Sequence, residues 1–286
     1  MKKFWIIVGA IAAVGLIICS TGFLTGAKLS MYFDGKGWHL ADGKPRSIKK
    51  TFDTITELDI DSGNGNIEIK TGDEYSIDIT YYSGEPTVEC EGGVLKVKST
   101  DFFMNFGFHF YTDKIIITLP ETAELSKAKI DNNNGKTIVE KLNAKEEISI
   151  ENDNGYMELR NITSESLKVV SRNGSIKSYD ITAQSLDLQN HNGEVAFENI
   201  VADTGKIELF NGNIKGNYIT GNHNIRTHNG NVRVGLKNLN DYYITANTAN
   251  GSTRVGGQKV NAHGNTDAKN KLELKTFNGD VRVTEE

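Results

Sequence analysis

The chain has 286 residues, 32 basic against 37 acidic, a net charge of −5, and two cysteines. That length holds one large domain or two smaller ones. An acidic chain is a poor counterion for a phosphate backbone, so nucleic acid is not an expected partner, and two cysteines build no disulfide framework.

The chain opens with Lys2 and Lys3, then runs from Phe4 to Ala27 without an Asp, Glu, Lys or Arg. A helix of that length spans roughly 36 Å, more than the apolar thickness of a bilayer, about 30 Å. The two lysines predict a cytoplasmic stub over residues 1–3, a transmembrane helix over 4–27 and an extracytoplasmic C-terminal part. Thr25-Gly26-Ala27 could pass for an export-signal cleavage site. The apolar run, however, exceeds the usual 7–15 residues or so of such a signal. Leu16-Ile17-Ile18-Cys19 sets a bulky Ile where lipoprotein sites carry a small residue, which argues against a lipid anchor at Cys19. Gly9-x-x-x-Ala13 and Gly22-x-x-x-Gly26 have helix-packing spacing, as any Gly/Ala-rich span tends to.

Residues 28–50 form a juxtamembrane linker, with Tyr32, Phe33 and Trp38 among Gly35, Gly37, Gly43 and Pro45. From 51 to 120 apolar residues alternate as in strands: Leu58/Ile60, Ile67/Ile69, Ile77/Ile79, Leu95/Val97 and Ile115/Ile117/Leu119. This leading β section is expected to cap the repeats C-terminal to it. Cys90 sits in an alternating run, Thr87 to Glu91, and reads as a strand residue.

Residues 121–286 carry the strongest internal signal. Asn-Gly pairs end at Gly135, Gly155, Gly174, Gly193, Gly212, Gly230, Gly251 and Gly279, with gaps of 20, 19, 19, 19, 18, 21 and 28. Asn-Gly accepts positive φ at low cost and marks tight turns. Apolar residues alternate before each pair (Leu167/Val169, Leu186/Leu188, Ile207/Leu209) and recur after it (Met157, Ile176, Val195, Ile214, Val232). A third column, Ile162, Ile181, Ile200 and Ile219, is spaced by 19 each time. Serial hairpins would account for the turns but not for a constant period or the third column. A β-solenoid needs both, because each coil must return equivalent side chains to one place. The predicted fold is therefore all-β: a β-solenoid ectodomain of about 19-residue coils behind one transmembrane helix. Gly256 to Lys271 is a polar insertion and the least regular part of the array.

The anchor, the opening Leu58-Asp59-Ile60-x-x-Gly63-Asn64-Gly65-Asn66-Ile67-Glu68-Ile69, the run Ile115-Ile116-Ile117-Thr118-Leu119-Pro120 and the serial Asn-Gly turns form one pattern. It resembles the bacterial "putative adhesin" family of β-strand repeats, domains of unknown function that include LiaG-like envelope proteins. The resemblance covers about Thr51 to Val283. It implies a surface-exposed envelope protein and carries over no catalytic residues.

No chemistry stands out from the residues. Leu119-Pro120-Glu121-Thr122-Ala123 mimics a sortase motif but is internal and ends in Ala. Asp131-Asn132-Asn133-Asn134-Gly135 misplaces the glycine of a calcium loop, so asparagine ladders at the turns are the simpler reading. His191 and His228 share a turn column with Asp153, Arg172, Phe210, Ala249 and Phe277, too mixed for a metal or triad site. No catalytic, cofactor-binding or metal residue is assigned. The candidate interaction patch is Phe102, Phe103, Phe106, Phe108, Phe110 and Tyr111, six aromatics in ten residues. The expected function is non-enzymatic: a cell-envelope rod for adhesion, scaffolding or envelope-stress interaction, its partner an envelope protein or cell-wall polysaccharide. The alternative is a carbohydrate-active or polysaccharide-binding β-helix, which would need paired acids across a groove.

Overall fold

The computed structural model describes residues 2–24, 30–33, 37–41, 43–99, 104–107 and 112–286. The chain opens with the helix Lys2–Leu24. Among the described residues no helix is long and apolar enough to cross a membrane; the side chains at 2–7, 18–19 and 22–24 of this helix lie outside them. A small antiparallel sheet comes next, in which Ser30–Phe33 pairs with Trp38–Ala41 and with Met104–Gly107.

The rest is a parallel β-solenoid. Alternating sequence becomes alternating burial: in Ile176–Asn192 the side chains of Ile176, Ser178, Ile181, Ala183, Leu186, Leu188 and Asn190 point inward. Each such strand lies parallel to the next, 19 or 20 residues on, so Leu142, Ile162, Ile181, Ile200 and Ile219 stack in register. All five are at most 1% exposed. Hairpins would have paired each strand with its own continuation; parallel pairing at the repeat offset rules them out.

Two corners bend each coil. The first is the Asn-Gly turn. Asn64, Asn134, Asn154, Asn173, Asn192, Asn211, Asn229, Asn278 and Asn250 form a ladder in that order, each Nδ2 donating to a neighbouring Oδ1 at 2.7–3.0 Å. The glycine is obligatory for a second reason besides φ. A Cβ on Gly212 would lie 1.6 Å from the Gly193 carbonyl oxygen. The second corner is a left-handed column at Asn161, Asp180, Asn199 and Tyr218, with φ of 52 to 56°. Asn and Asp tolerate that region; Tyr218 does not do so readily.

Large and small residues complement one another between coils. The Phe197 ring fills the space left by Gly216, where a Cβ would meet ring carbons at 2.0 Å. His223 likewise occupies the room beside Gly205.

At both ends the stacking order departs from the chain order. The strand Glu57–Gly72 is itself a coil, pairing with Leu125–Asn134 on one side and with Val94–Lys98 and Asp113–Pro120 on the other. The solenoid thus extends across residue 120 into the leading section, whose antiparallel strands Arg46–Phe52 and Tyr75–Tyr81 flank that end. At the other end Asn270–Asn278 inserts between Ile214–Asn229 and Tyr242–Asn250, and Val281–Glu285 between Val232–Leu236 and Thr253–Val255. The irregular segment 256–269 folds back over the last coil, with Ala262–His263 antiparallel to Ile244 and Thr245.

Candidate functional site

A groove of about 820 Å³ runs along the rod axis just before the Asn-Gly corner. Its floor and walls come from the 19-residue period. One outward column, two residues before the ladder's x-Asn-Gly position, is Glu151, Val170, Gln189, Glu208, Arg226 and Lys275. The other is Asp153, Arg172, His191, Phe210, His228 and Phe277. Strand alternation puts both columns outside, and the bend at the corner opens the space between them.

The second column contains an aromatic stack. His191, Phe210, His228 and Phe277 lie face to face, with centroids 4.8, 5.0 and 5.1 Å apart and interplanar angles of 7, 3 and 1°. The spacing is that of parallel strands, so the rings inherit it from the backbone. Each stacked pair contributes about 0.5–1.5 kcal/mol beyond area burial. The stack turns ring edges, not faces, to solvent, and Phe210 and Phe277 remain 46% and 49% exposed.

Charges on the groove are largely matched across coils. Arg172 Nη1 meets Asp153 Oδ2 at 2.7 Å, Lys168 Nζ meets Glu151 Oε1 at 2.6 Å, and Arg226 Nε meets Glu208 Oε1 at 2.8 Å. Hydrogen bonding to Glu151 raises the Lys168 ammonium above its ordinary value, keeping it charged. Such exposed pairs are worth about 0–1 kcal/mol each, so they set register more than stability. The arrangement offers edges, amides and ion pairs repeated at the coil spacing, which suits contact with an elongated partner.

The histidines divide. His191 and His228 are exposed residues at the ends of the strands Ile176–Asn192 and Ile214–Asn229, and their mixed column resolves into a ring stack. His223, by contrast, is buried: its Nε2 lies 2.8 Å from the Thr220 carbonyl oxygen, its Nδ1 has no partner, and burial lowers its pKa. The clue in the sequence was its phase, since it takes the column of Leu167 and Leu186. Among the described residues no group of three or more His, Cys, Asp and Glu could hold a metal ion. Cys90 is a half-buried strand residue and a free thiol. Of the aromatic patch expected from the sequence, Phe102, Phe103, Phe108, Phe110 and Tyr111 lie outside the described residues. Phe106 is described only through its backbone, which pairs with Met31.

Fold and surface together define a β-solenoid protein whose outer columns repeat along its axis. Its sequence belongs to the Toastrack DUF4097 family, matched over residues 55–284. A comparison with curated proteins gives no match. Among solved structures, one similar chain is described as a "putative adhesin" from Parabacteroides distasonis, at 15% identity and a TM-score of 0.53, covering 86% of this chain and 98% of that one. Another, a "putative lipid binding protein" from the same organism, is 16% identical with a TM-score of 0.53, covering 85% and 98%. These likenesses concern the fold.

Proposed function

We propose that this chain is a non-enzymatic, membrane-anchored protein of the cell envelope that presents a rigid rod for adhesion or scaffolding. The observation that carries the reading is the register of the outer columns: side chains on successive coils stand in line along the rod axis, so a long partner can meet several of them at once. Such a surface gains strength by multivalent contact, not turnover. The descriptions of the two similar structures as an adhesin and a lipid-binding protein agree with surface contact.

The anchor reading rests on the charge-free run from Phe4 to Ala27 behind Lys2 and Lys3. Ser20 and Thr21 also return their hydroxyls to the helix, Ser20 Oγ to Leu16 O at 2.8 Å and Thr21 Oγ1 to Ile17 O at 2.7 Å. In lipid a hydroxyl needs such an internal acceptor. With the two lysines held in the cytoplasm, the rod lies outside. Protease shaving of whole cells tests it: digestion of the rod in intact cells supports the reading, and protection until lysis refutes it. Capture of envelope components by the full chain in detergent, with a glycan panel alongside, tests the contact role; recovery of neither protein nor glycan would refute it.

A polysaccharide ligand is favoured by one feature, the groove along the aromatic stack, whose rings recur every 4.8–5.1 Å. Binding of a linear glycan that is lost on Phe210→Ser and Phe277→Ser would support it.

A further inference from the structure

The seven arginines of the chain divide sharply by environment. Arg160, Arg172 and Arg226 each hold a carboxylate within 2.8 Å, and Arg46 is engaged near the other end of the rod. The remaining three, Arg233, Arg282 and Arg254, have no ion-pair partner among the described residues, and all three are exposed. They occupy consecutive coils of one column: Arg233 pairs in register with Arg282, and Arg282 with Arg254. Lys215, also exposed and without an ion pair among the described residues, extends the column by one more coil.

Nothing in the fold calls for this row. Val232, Val234, Val281, Val283 and Val255 supply the core on either side of it. Like charges set directly opposite one another in a sheet are destabilising, and here the repulsion repeats at every step. Elsewhere on the rod the outward cations are often matched across coils, as Arg172 is with Asp153. The acids near the row are Asp280 and Glu286. Asp280 Oδ1 accepts hydrogen bonds from Ser252 N and Oγ at 2.8 and 2.9 Å, and Glu286 lies over Gly235 and accepts from Thr284 Oγ1. Neither reaches a guanidinium of the row closely enough to form an ion pair.

We infer that the column Lys215, Arg233, Arg282 and Arg254, a local basic row on a chain that is acidic overall, is a binding site for a linear polyphosphate laid along the rod axis. At roughly 4.8 Å per coil the row of four spans roughly 14 Å. Guanidinium groups grip phosphate oxygens in pairs, and the polymer's charge relieves the repulsion between coils. The geometry favours a polymer over a lipid surface. The row is one cation wide and is flanked by Asn231, Asp280 and Ser252 on one side and by Gly235, Thr284 and Gly256, with Glu286 over Gly235, on the other. The Asp280 charge offsets part of that of Arg282 and Arg254, and no exposed apolar side chain lies among them to enter a bilayer. The inference rests on the reading of the rod as a contact surface and names one partner chemistry for it.

The test uses the full chain in detergent, with linear polyphosphate as the probe. Wild type should bind with an affinity that falls as salt rises. The double variant Arg233→Gln, Arg282→Gln should bind at least about tenfold more weakly, with a shallower salt dependence, and should unfold no more easily than wild type. Arg160→Gln, an exposed arginine outside both the row and the groove, should bind as wild type does. Unaltered binding by the double variant, no binding by wild type, or binding to phosphatidylglycerol vesicles without binding to polyphosphate would each overturn the inference. If polyphosphate fails while the full chain still captures envelope components, only this site is refuted; if both fail, the contact role falls with it.

Discussion

Replacing Gly212 by alanine tests whether the Asn-Gly corner holds the rod together or merely turns the chain. The new Cβ would sit 1.6 Å from the Gly193 oxygen. Ordinary carbon–oxygen contacts are about 3.3 Å or longer, so the coils must part locally by more than roughly 1 Å. Parting them strains the Gly193 N–H bond to Asn211 O at 3.0 Å, the Val195 N–H bond to Asn213 O at 3.1 Å, and the amide bond from Asn211 to Asn192 at 2.9 Å. Each is worth about 1 kcal/mol net, and the φ of 138° adds backbone strain of about 1–3 kcal/mol. The expected loss is about 3–5 kcal/mol, read as a lower denaturant midpoint by circular dichroism. Gly257→Ala is the control. Gly257 has a φ of 80° but nothing within 4 Å of its added Cβ, so only strain remains, about 1 kcal/mol. Because a solenoid is held by nearest-neighbour terms, hydrogen exchange in the Gly212 variant should rise in the coils on both sides of residue 212. If the two variants lose the same stability, the stacked-glycine argument is wrong.

Two titrations should act in opposite directions. Burial pushes the Asp113 carboxyl up to about 6, against the hydrogen bond it accepts from the Tyr82 N–H. Its folded pKa is above the unfolded one, so this group's contribution is fully present below the unfolded value and is lost as pH rises through about 6. Asp113→Asn keeps the acceptor, and should raise stability at neutral pH by about 1 kcal/mol once solvent screening is allowed for, measured by urea unfolding at pH 7 and pH 4. His223 has a folded pKa below its ordinary value because burial disfavours the imidazolium, so its contribution is lost as pH falls below the ordinary histidine value. His223→Leu should flatten that acid-side slope in the same assay. A third expectation concerns chemical ageing. From Gly135 onward the glycine N–H of each Asn-Gly pair donates to an asparagine carbonyl on the next coil, except that of Gly251 on the terminal coil. Asn250 should therefore deamidate ahead of Asn173, Asn192 and Asn211, as peptide mapping by mass spectrometry of aged protein would record.

The coil itself was legible. Alternation around each Asn-Gly pair identified which side chains face inward, and the 19-residue spacing of Ile162, Ile181, Ile200 and Ile219 implied that they stack. The family resemblance rested on the same residues. Less was visible in the groove. His191, Phe210 and His228 could be placed in one column, but a column of mixed chemistry gives no sign that its rings will lie flat on one another; that comes from parallel-strand spacing. His223 could be found only by noticing that a histidine had fallen in phase with leucines.

By itself the amino-acid sequence determined the content of each coil: an Asn-Gly turn, alternating apolar residues and a third aliphatic column; the left-handed corner at Asn161, Asp180, Asn199 and Tyr218 came only with the structure. It did not determine the order in which the coils lie. Gly251 precedes Gly279 in the chain, yet Asn278 stacks between Asn229 and Asn250. Backbone ladders accept any strand of matching length and burial, so that choice belongs to the closing of the two ends, where one terminal segment of the solenoid slips inside its neighbour. The consequence is chemical. Only this order brings Phe277 against His228, completing the ring stack, and sets Arg282 between Arg233 and Arg254.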